Sequence, residues 1–445
     1  MKGKDLTNGN LLKNMFILLI PLILTNLLNS IYNIVDGIFV GNLIGEKGVS
    51  AIANCYPIVF VITATIQGPA IATSVLVSQY FGAKAEEKLK SVCGVAYTIT
   101  TILVLVLAIL ITITSEFWLK VLDTPVEIFD IAKQYIIIYA IGSIFNAILI
   151  VIMEALRATG NSKIPLIFVG ITTTINLVLD PILINLGLGV AGAGIATMIA
   201  MFIGMIIAIA YLEKKKSILK VDLKYLKLNM EYIKKFFQIG VPIVLEELFA
   251  VIGLALEIST VNRDGILVIT AYGVADKLVQ AIYIISLSFQ TMLTVTTGQF
   301  IGKKKIKECI KVVKNGIKLS ILPCILIFNV VFIFPRQFCR IFVTSETVIK
   351  IAINYISIIG IIHVLSPIKQ LIQGFIAGTG HTKILFYSMT IANIVEIASI
   401  LILRKTNLAS LTIIGIGILL WLITDLGINL IYFFSGNWKK QVIEN

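Results

Sequence analysis

Charge is scarce in this sequence: Asp, Glu, Lys and Arg make up 14% of its residues, against 58% that are hydrophobic. A water-solvated protein carries roughly 25% charged residues, so this chain cannot clothe a soluble surface. Histidine is nearly missing, with two residues in 445. Five scattered cysteines (Cys55, Cys93, Cys309, Cys324, Cys339) form no CxxC pair and no metal spacing, which leaves packing as their use. No GxxxxGK[ST] sequence occurs, so no ATP-binding loop powers the protein directly. No nucleophile–base arrangement is visible, and an enzyme is not expected.

What the chain has instead is long apolar runs. Residues 16–40, 91–113, 129–153, 189–212, 319–335, 384–403 and 411–434 are the clearest. Each approaches the roughly 20 residues a helix needs to cross a 30 Å hydrocarbon layer. Adding the runs interrupted by Gly, Pro or single polar residues predicts twelve spans, near 15–40, 51–79, 91–113, 129–153, 165–186, 189–212, 234–258, 266–298, 316–335, 348–373, 384–403 and 410–434. The first run is too long for a signal-peptide core and lacks a cleavage site, so it reads as a retained span. The fold class is therefore an all-α, multi-pass membrane protein.

The net charge of +13 does not point to nucleic acid. With both termini cytoplasmic and the loops alternating, most Lys and Arg fall on the cytoplasmic side, as the positive-inside rule requires. The densest groups are Lys214, Lys215, Lys216, Lys220, Lys224 and Lys227 in the middle connection, then Lys303, Lys304, Lys305 and Lys307. They read as topology signals with affinity for anionic headgroups of the lipid bilayer.

The middle connection divides the chain almost evenly, and the halves repeat. The second span ends Ser78-Gln79-Tyr80-Phe81-Gly82-Ala83-Lys84, and the eighth ends Gly298-Gln299-Phe300-Ile301-Gly302-Lys303-Lys304. The turn Thr159-Gly160-Asn161-Ser162-Lys163 returns as Thr379-Gly380-His381-Thr382-Lys383. In both comparisons the offset is 220 positions, as from Gln79 to Gln299. Pro21 and Pro242 nearly share it. Six spans per half is an even number, so the halves are parallel repeats: two six-helix lobes related by a pseudo-two-fold along the membrane normal. The expected domains are an N-lobe over 1–213, a cytoplasmic linker over 214–233 and a C-lobe over 234–445. The repeated Gly-containing turns read as tight helix connections, with Gly or Asn at positive φ and a hydroxyl capping the next helix.

Ionisable residues inside the spans cost about 2.5–3.5 kcal/mol each on insertion scales, so each is a candidate for function. Asp36 lies about one turn from the end of the first span. Asn176 and Asp180 lie four apart in the fifth, and so share one helix face. Two carboxyls and an amide at one depth suit a proton or a sodium ion, with H⁺ or Na⁺ as coupling ion and no other cofactor. The alternative is that each aspartate snorkels or caps at the outer interface. Glu257 matches Asp36 approximately in the second half; Glu246 and Glu247 lie deeper. Asp276, Lys277, Lys369, Glu396 and Asp425 complete the intramembrane set, with Asp276–Lys277 read as a neutralised pair. Gln67, Glu257, Gln290 and Asp276 are candidate substrate or cavity residues, with Thr63, Thr65 and Thr291 beside them. Interhelical hydrogen bonding is the commoner use of such polar residues. Asp36, Asn176 and Asp180 have no close copy in the second half.

The stretch Val35-Asp36-Gly37-Ile38-Phe39-Val40-Gly41, the Gln79–Gly82 helix end, the Arg157–Gly160 turn and the Asn176–Asp180-Pro181 element resemble the multidrug and toxic compound extrusion (MATE) family. The resemblance runs over essentially the whole chain and is nearest to bacterial branches of the DinF and MepA type. It implies twelve helices in two V-shaped lobes that export organic cations or drugs in exchange for protons or sodium. It also implies a monomer in the bacterial cytoplasmic membrane. By position, Asp36, Asn176 and Asp180 match the N-lobe cation site of DinF-like members. Glu246, Glu247 and Glu257 do not align with the seventh-span glutamate of NorM-like relatives. A flippase for lipid-linked saccharides, from the same superfamily, is the alternative; it would require a basic central cavity.

Overall fold

The structure is a computed structural model that describes residues 3–220, 225–226 and 229–440. Lys224 and Lys227 of the basic middle connection lie outside them. Among the described residues there is no strand; helices account for nearly everything.

The first half holds α1 (Leu11–Leu43), α2 (Glu46–Gly82), α3 (Glu86–Val121), α4 (Val126–Ala158), α5 (Lys163–Leu183) and α6 (Gly189–Lys214). The second holds α7 (Met230–Val261), α8 (Ile266–Gly302), α9 (Cys309–Phe328), the short α10 (Pro335–Arg340), α11 (Glu346–Val364), α12 (Ser366–Gly378), α13 (Thr382–Leu403) and α14 (Ser410–Ser435). Ten of these stretches are long and apolar enough to cross a membrane, with α5 and α6 counted as one. Large apolar side chains point outward along them, such as Ile34, Ile113 and Ile431. In water such exposure would be ruinous; in lipid it is the solvated face.

Two spans differ from the sequence expectation. The tenth, expected as one helix over 348–373, is broken at Leu365 into α11 and α12. The reason is Pro367 in the first turn of α12: it lacks an N–H and its ring excludes the carbonyl one turn back. The ninth begins earlier than 316, at Cys309, and ends in a π-turn over Asn329–Ile333. A second π-turn, Ile184–Leu188, joins α5 to α6, with Gly187 at φ 88° and Gly189 at φ 53°.

The repeat is written in backbone angles. Gly45 and Gly265 have φ of 85° and 83°, Gly160 and Gly380 have 79° and 90°, and Lys84 and Lys304 both have 58°. Each pair is 220 positions apart. The lysines matter most, because a residue with a Cβ avoids this region at a cost of about 1–2 kcal/mol. Both occupy the second residue after a helix end in the same double hydrogen-bonded turn. Lys84 N–H donates to Phe81 and Ala85 N–H to Tyr80, while Lys304 N–H donates to Ile301 and Lys305 N–H to Phe300. Gly160 and Gly380 take positive φ as the sequence predicts, but the expected hydroxyl cap is not made: Ser162 gives α5 no cap hydrogen bond, and His381 stands at the cap of α13. The side-chain acceptor at the start of α5 is Asn161 Oδ1, which takes Ile164 N–H at 3.3 Å.

Contacts divide the chain into two units. Unit 1 is Ile20–Val244 with the few residues ahead of Leu6; unit 2 is Leu6–Leu19 with the chain from Leu245 onward. The first turns of α1 thus belong to unit 2 and the first half of α7 to unit 1. The divisions fall beside Pro21 and Pro242. In unit 1 an apolar core including Cys55, Ile62, Val104, Ile136 and Ala147 joins α2, α3 and α4. The backbones of α2 and α7 meet there, since a Cβ on Gly68 would lie 2.6 Å from the carbonyl oxygen of Gly240. In unit 2 a core including Ala275, Ile282, Val331, Tyr355, Ile356 and Ile414 joins α8, α11 and α14. Gly378 allows α12 the same closeness to α8, its Cβ position being 2.6 Å from Thr294 O. Small residues at helix contacts are the membrane solution, because lipid gives apolar side chains no reason to prefer each other.

Candidate functional site

Beyond Pro21, α1 presents Asn29, Tyr32, Asn33 and Asp36 at helical spacing, so they share a face. The face of α5 carries Thr172, Asn176 and Asp180, each four residues after the last. The structure brings Asp36, Asn176 and Asp180 together within unit 1. Asp180 is fully buried and Asn176 nearly so, while Asp36 is half-buried; Asp180 does not snorkel to an interface.

One donor–acceptor chain organises the group. The Asn176 carboxamide donates to Asp180 Oδ2 at 2.8 Å, and its oxygen accepts from Thr197 Oγ1 of α6 at 3.0 Å. Tyr32 Oη lies 3.2 Å from the same Thr197 hydroxyl. The carboxyls of Asp36 and Asp180 face each other at hydrogen-bonding range. Two carboxyl oxygens can bond only when a proton lies between them. Asp36 Oδ1 is enclosed and meets no donor among the described residues. Beside the group is a cavity of about 350 Å³ lined by Tyr32, Asn33, Thr63, Thr172, Asn176 and Thr197 among others, with no acidic or basic side chain on its wall.

Unit 2 has a cavity of about 280 Å³ whose wall includes Glu257, Tyr272, Asp276, Lys369, Glu396 and Trp421; Glu246, Glu247 and Lys277 do not line it. Lys369 and Asp425 form a buried ion pair at 3.2 Å. Asp425 also accepts from Gln373 Nε2 at 3.0 Å, Ser388 Oγ at 2.8 Å and Asn429 Nδ2 at 3.0 Å. The Lys369 ammonium sits 3.8 Å from the centre of the Trp421 ring. A buried carboxylate costs several kcal/mol unless paired and hydrogen-bonded; this one is both.

Several expectations change here. Asp276 does not pair with Lys277: no such ion pair occurs among the described residues, and Gln280 Nε2 donates to Asp276 Oδ2 at 2.6 Å instead. Neighbours in sequence leave a helix about 100° apart, so Asp276 reaches the residue one turn on more easily. Glu257 and Asp276 line the unit 2 cavity, whereas Gln67 and Gln290 are absent from the walls of both cavities. Thr65 and Thr291 bond back to their own helices. The second half does possess a carboxyl pair. Glu257 of α7 and Glu396 of α13 face each other as Asp36 and Asp180 do. The available signal was the offset itself, because Glu396 lies 220 positions after Asn176 rather than after Asp180. Thr197 carries no comparable signal.

A family model described as MatE matches residues 21–182 and 242–402. Over 351 residues the chain is 29% identical to the probable multidrug resistance protein YoeA of Bacillus subtilis, covering 76% of this chain and 75% of that one. It is 26% identical to the probable multidrug resistance protein YpnP of the same organism, over 99% of both chains. The multidrug export protein MepA of Staphylococcus haemolyticus is 26% identical over 84% of this chain and 83% of its own. Among solved structures, a MOP superfamily transporter from Pyrococcus furiosus superposes with a TM-score of 0.89 at 21% identity, covering 98% and 97% of the two chains.

Proposed function

Because the chain belongs to the multidrug and toxic compound extrusion (MATE) family, we propose that this multi-pass transporter is an antiporter that exports organic cations or drugs in exchange for protons. The observation that carries this reading is the Asp36–Asp180 carboxyl contact, buried in unit 1 and braced by Asn176. A proton suits two carboxyls in contact, because both cannot stay ionised side by side in a low-dielectric site. The Asn176 amide keeps Asp180 oriented through either protonation state.

Release of the shared proton leaves two like charges, which α1 can separate by moving. That helix is weakened where movement is needed. Pro21 removes one intrahelical bond, its carbonyl is taken by Thr25 Oγ1 at 2.7 Å, and Gly37 beside Asp36 has open space around it. Protonation state therefore biases the shape of α1, and through it the wall of the adjoining cavity. Linkage then requires that a bound drug weaken the proton by the same factor, typically about 5–150-fold.

The unit 2 cavity, with Glu257, Asp276 and Glu396 on its wall, favours cationic over pyrophosphate-bearing cargo. The unit 1 cavity has no basic wall residue, and the one lysine of the unit 2 cavity is already neutralised by Asp425. The test is ethidium resistance and efflux in bacterial cells carrying Asp36→Asn or Asp180→Asn. Each is expected to lose efflux by more than about tenfold, equivalent to 1.4 kcal/mol of coupling. Undiminished efflux in both would sink the assignment.

A further inference from the structure

The third span of each half begins with a helix face that the two units treat in opposite ways. In unit 1, Glu87, Ser91, Gly94 and Thr98 follow one another at helical spacing and share a face of α3. The chain's own middle connection covers that face. Tyr225 Oη donates to Glu87 Oε2 at 2.5 Å, and Thr98 Oγ1 donates to Leu226 O at 3.3 Å. Gly94 makes the seat possible, because a Cβ there would lie 2.0 Å from the carbonyl oxygen of Tyr225.

The 220-residue offset carries these four positions to Lys307, Lys311, Lys314 and Lys318, at and beyond the start of α9. All four lysines are exposed, while Cys309, Val312, Val313, Gly316 and Ser320 turn inward. None of the four ammonium groups enters an ion pair among the described residues. From Lys303 to Lys318 seven lysines meet one acid, Glu308, so the surplus of positive charge stays on this surface. Lys314 stands where the unit 1 seat needs glycine, so no backbone can lie on α9 as Tyr225 lies on α3.

One turn further along the same face come Ile321, Leu322 and Ile325, all exposed. The face thus passes from cationic to apolar, the order in which a phospholipid presents phosphate and then acyl chain. Depth separates this stripe from a topology signal, which the lysines of the Lys303–Lys305 turn already supply. Lys311 and Lys318 are seven residues apart, a rise of about 10 Å. The polar layer on each side of the hydrocarbon is only about 6 Å deep. Lys318 therefore has to reach back along the helix to keep its charge among headgroups.

We propose that Lys307, Lys311, Lys314 and Lys318 form a seat for acidic phospholipid headgroups, in the leaflet that the positive-inside rule makes cytoplasmic. The acyl chains lie along Ile321, Leu322 and Ile325. Unit 1 has no such seat, because protein fills the equivalent face. The inference is independent of cargo and of coupling ion.

The test is lipid binding to the full-length protein in detergent, followed by native mass spectrometry during titration with dioleoylphosphatidylglycerol. Wild-type protein should bind it more tightly than dioleoylphosphatidylcholine, which has the same chains and no net charge. Each lysine near an anionic headgroup contributes about fivefold in affinity. Lys311→Gln/Lys314→Gln/Lys318→Gln should therefore weaken the tightest-bound phosphatidylglycerol by about 100-fold, and the corresponding arginine triple should retain it. Lys214→Gln/Lys215→Gln/Lys216→Gln lowers the net charge equally and should leave that affinity unchanged. Equal weakening by this second triple would reduce the effect to net charge and overturn the seat. Equal affinity for the two lipids would overturn the role of the headgroup. Displacement of phosphatidylglycerol by inorganic phosphate would make the occupant a free anion and overturn the lipid. If the glutamine triple folds poorly, Lys314→Gln alone decides: about a fivefold loss is expected, and no loss would overturn the seat.

Discussion

Unit 1 places its acids across α1 and α5, with an amide as brace and a cavity wall free of charge. Unit 2 places its acids across α7 and α13, the equivalent helices by the 220-residue offset, with a tyrosine as brace and a buried ion pair on the same cavity. The acid on the α5-type helix has shifted by one turn. Where unit 1 has Asp180, unit 2 has the buried Ile400, and where unit 1 has Asn176, unit 2 has Glu396. Four residues preserve a helix face, so the shift changes the depth of the carboxyl without turning it away. The duplication repeats turns and backbone angles closely while leaving the chemistry of each half free to move by whole turns.

Four single substitutions break or sharpen this contrast. The largest effect is expected at the ion pair peculiar to unit 2. Lys369→Met leaves Asp425 buried without its counter-charge, a loss of about 3–5 kcal/mol. Thermal unfolding in detergent should show it as a clear fall in midpoint, with Lys369→Met/Asp425→Asn recovering most of the loss. An unchanged midpoint would mean that the three neutral donors to Asp425 suffice. Next come two close helix contacts, α2 on α7 in unit 1 and α12 on α8 in unit 2, which do not correspond under the 220-residue offset. Gly68→Ala and Gly378→Ala each drive a methyl against a backbone carbonyl, and overpacking of this kind costs about 1–3 kcal/mol. A loss at each would show that both close approaches support stability; an unchanged midpoint for either would remove that contact from the account. The smallest change is Thr197→Ala, which removes the hydroxyl shared by Asn176 and Tyr32. Interhelical hydrogen bonds in membranes average about 0.6 kcal/mol, so stability should barely move.

Much of this was legible in the sequence because it depends on one helix at a time. Apolar run length announces a span, and Asn176 and Asp180 announce a shared face by their spacing alone. The 220-residue offset announces turns that later prove to share φ at Lys84 and Lys304. The rest depends on which helices touch. Thr197 joins the site because α6 packs on α5, and nothing in its neighbouring residues distinguishes it from other span threonines. Glu396 stands out as an intramembrane acid, but its pairing with Glu257 does not, because the 220-residue offset matches it to Asn176 rather than to Asp180. The break at Leu365 was announced by Ser366-Pro367 but masked by apolar residues on both sides.

The central claim is that proton and drug compete through Asp36 and Asp180. It is tested most directly in liposomes holding the purified protein, by imposing a pH gradient and asking whether ethidium moves against its own gradient. Wild-type protein should drive uphill ethidium movement, and Asp180→Asn should permit only downhill movement. Uphill movement by Asp180→Asn at the wild-type rate would contradict the account.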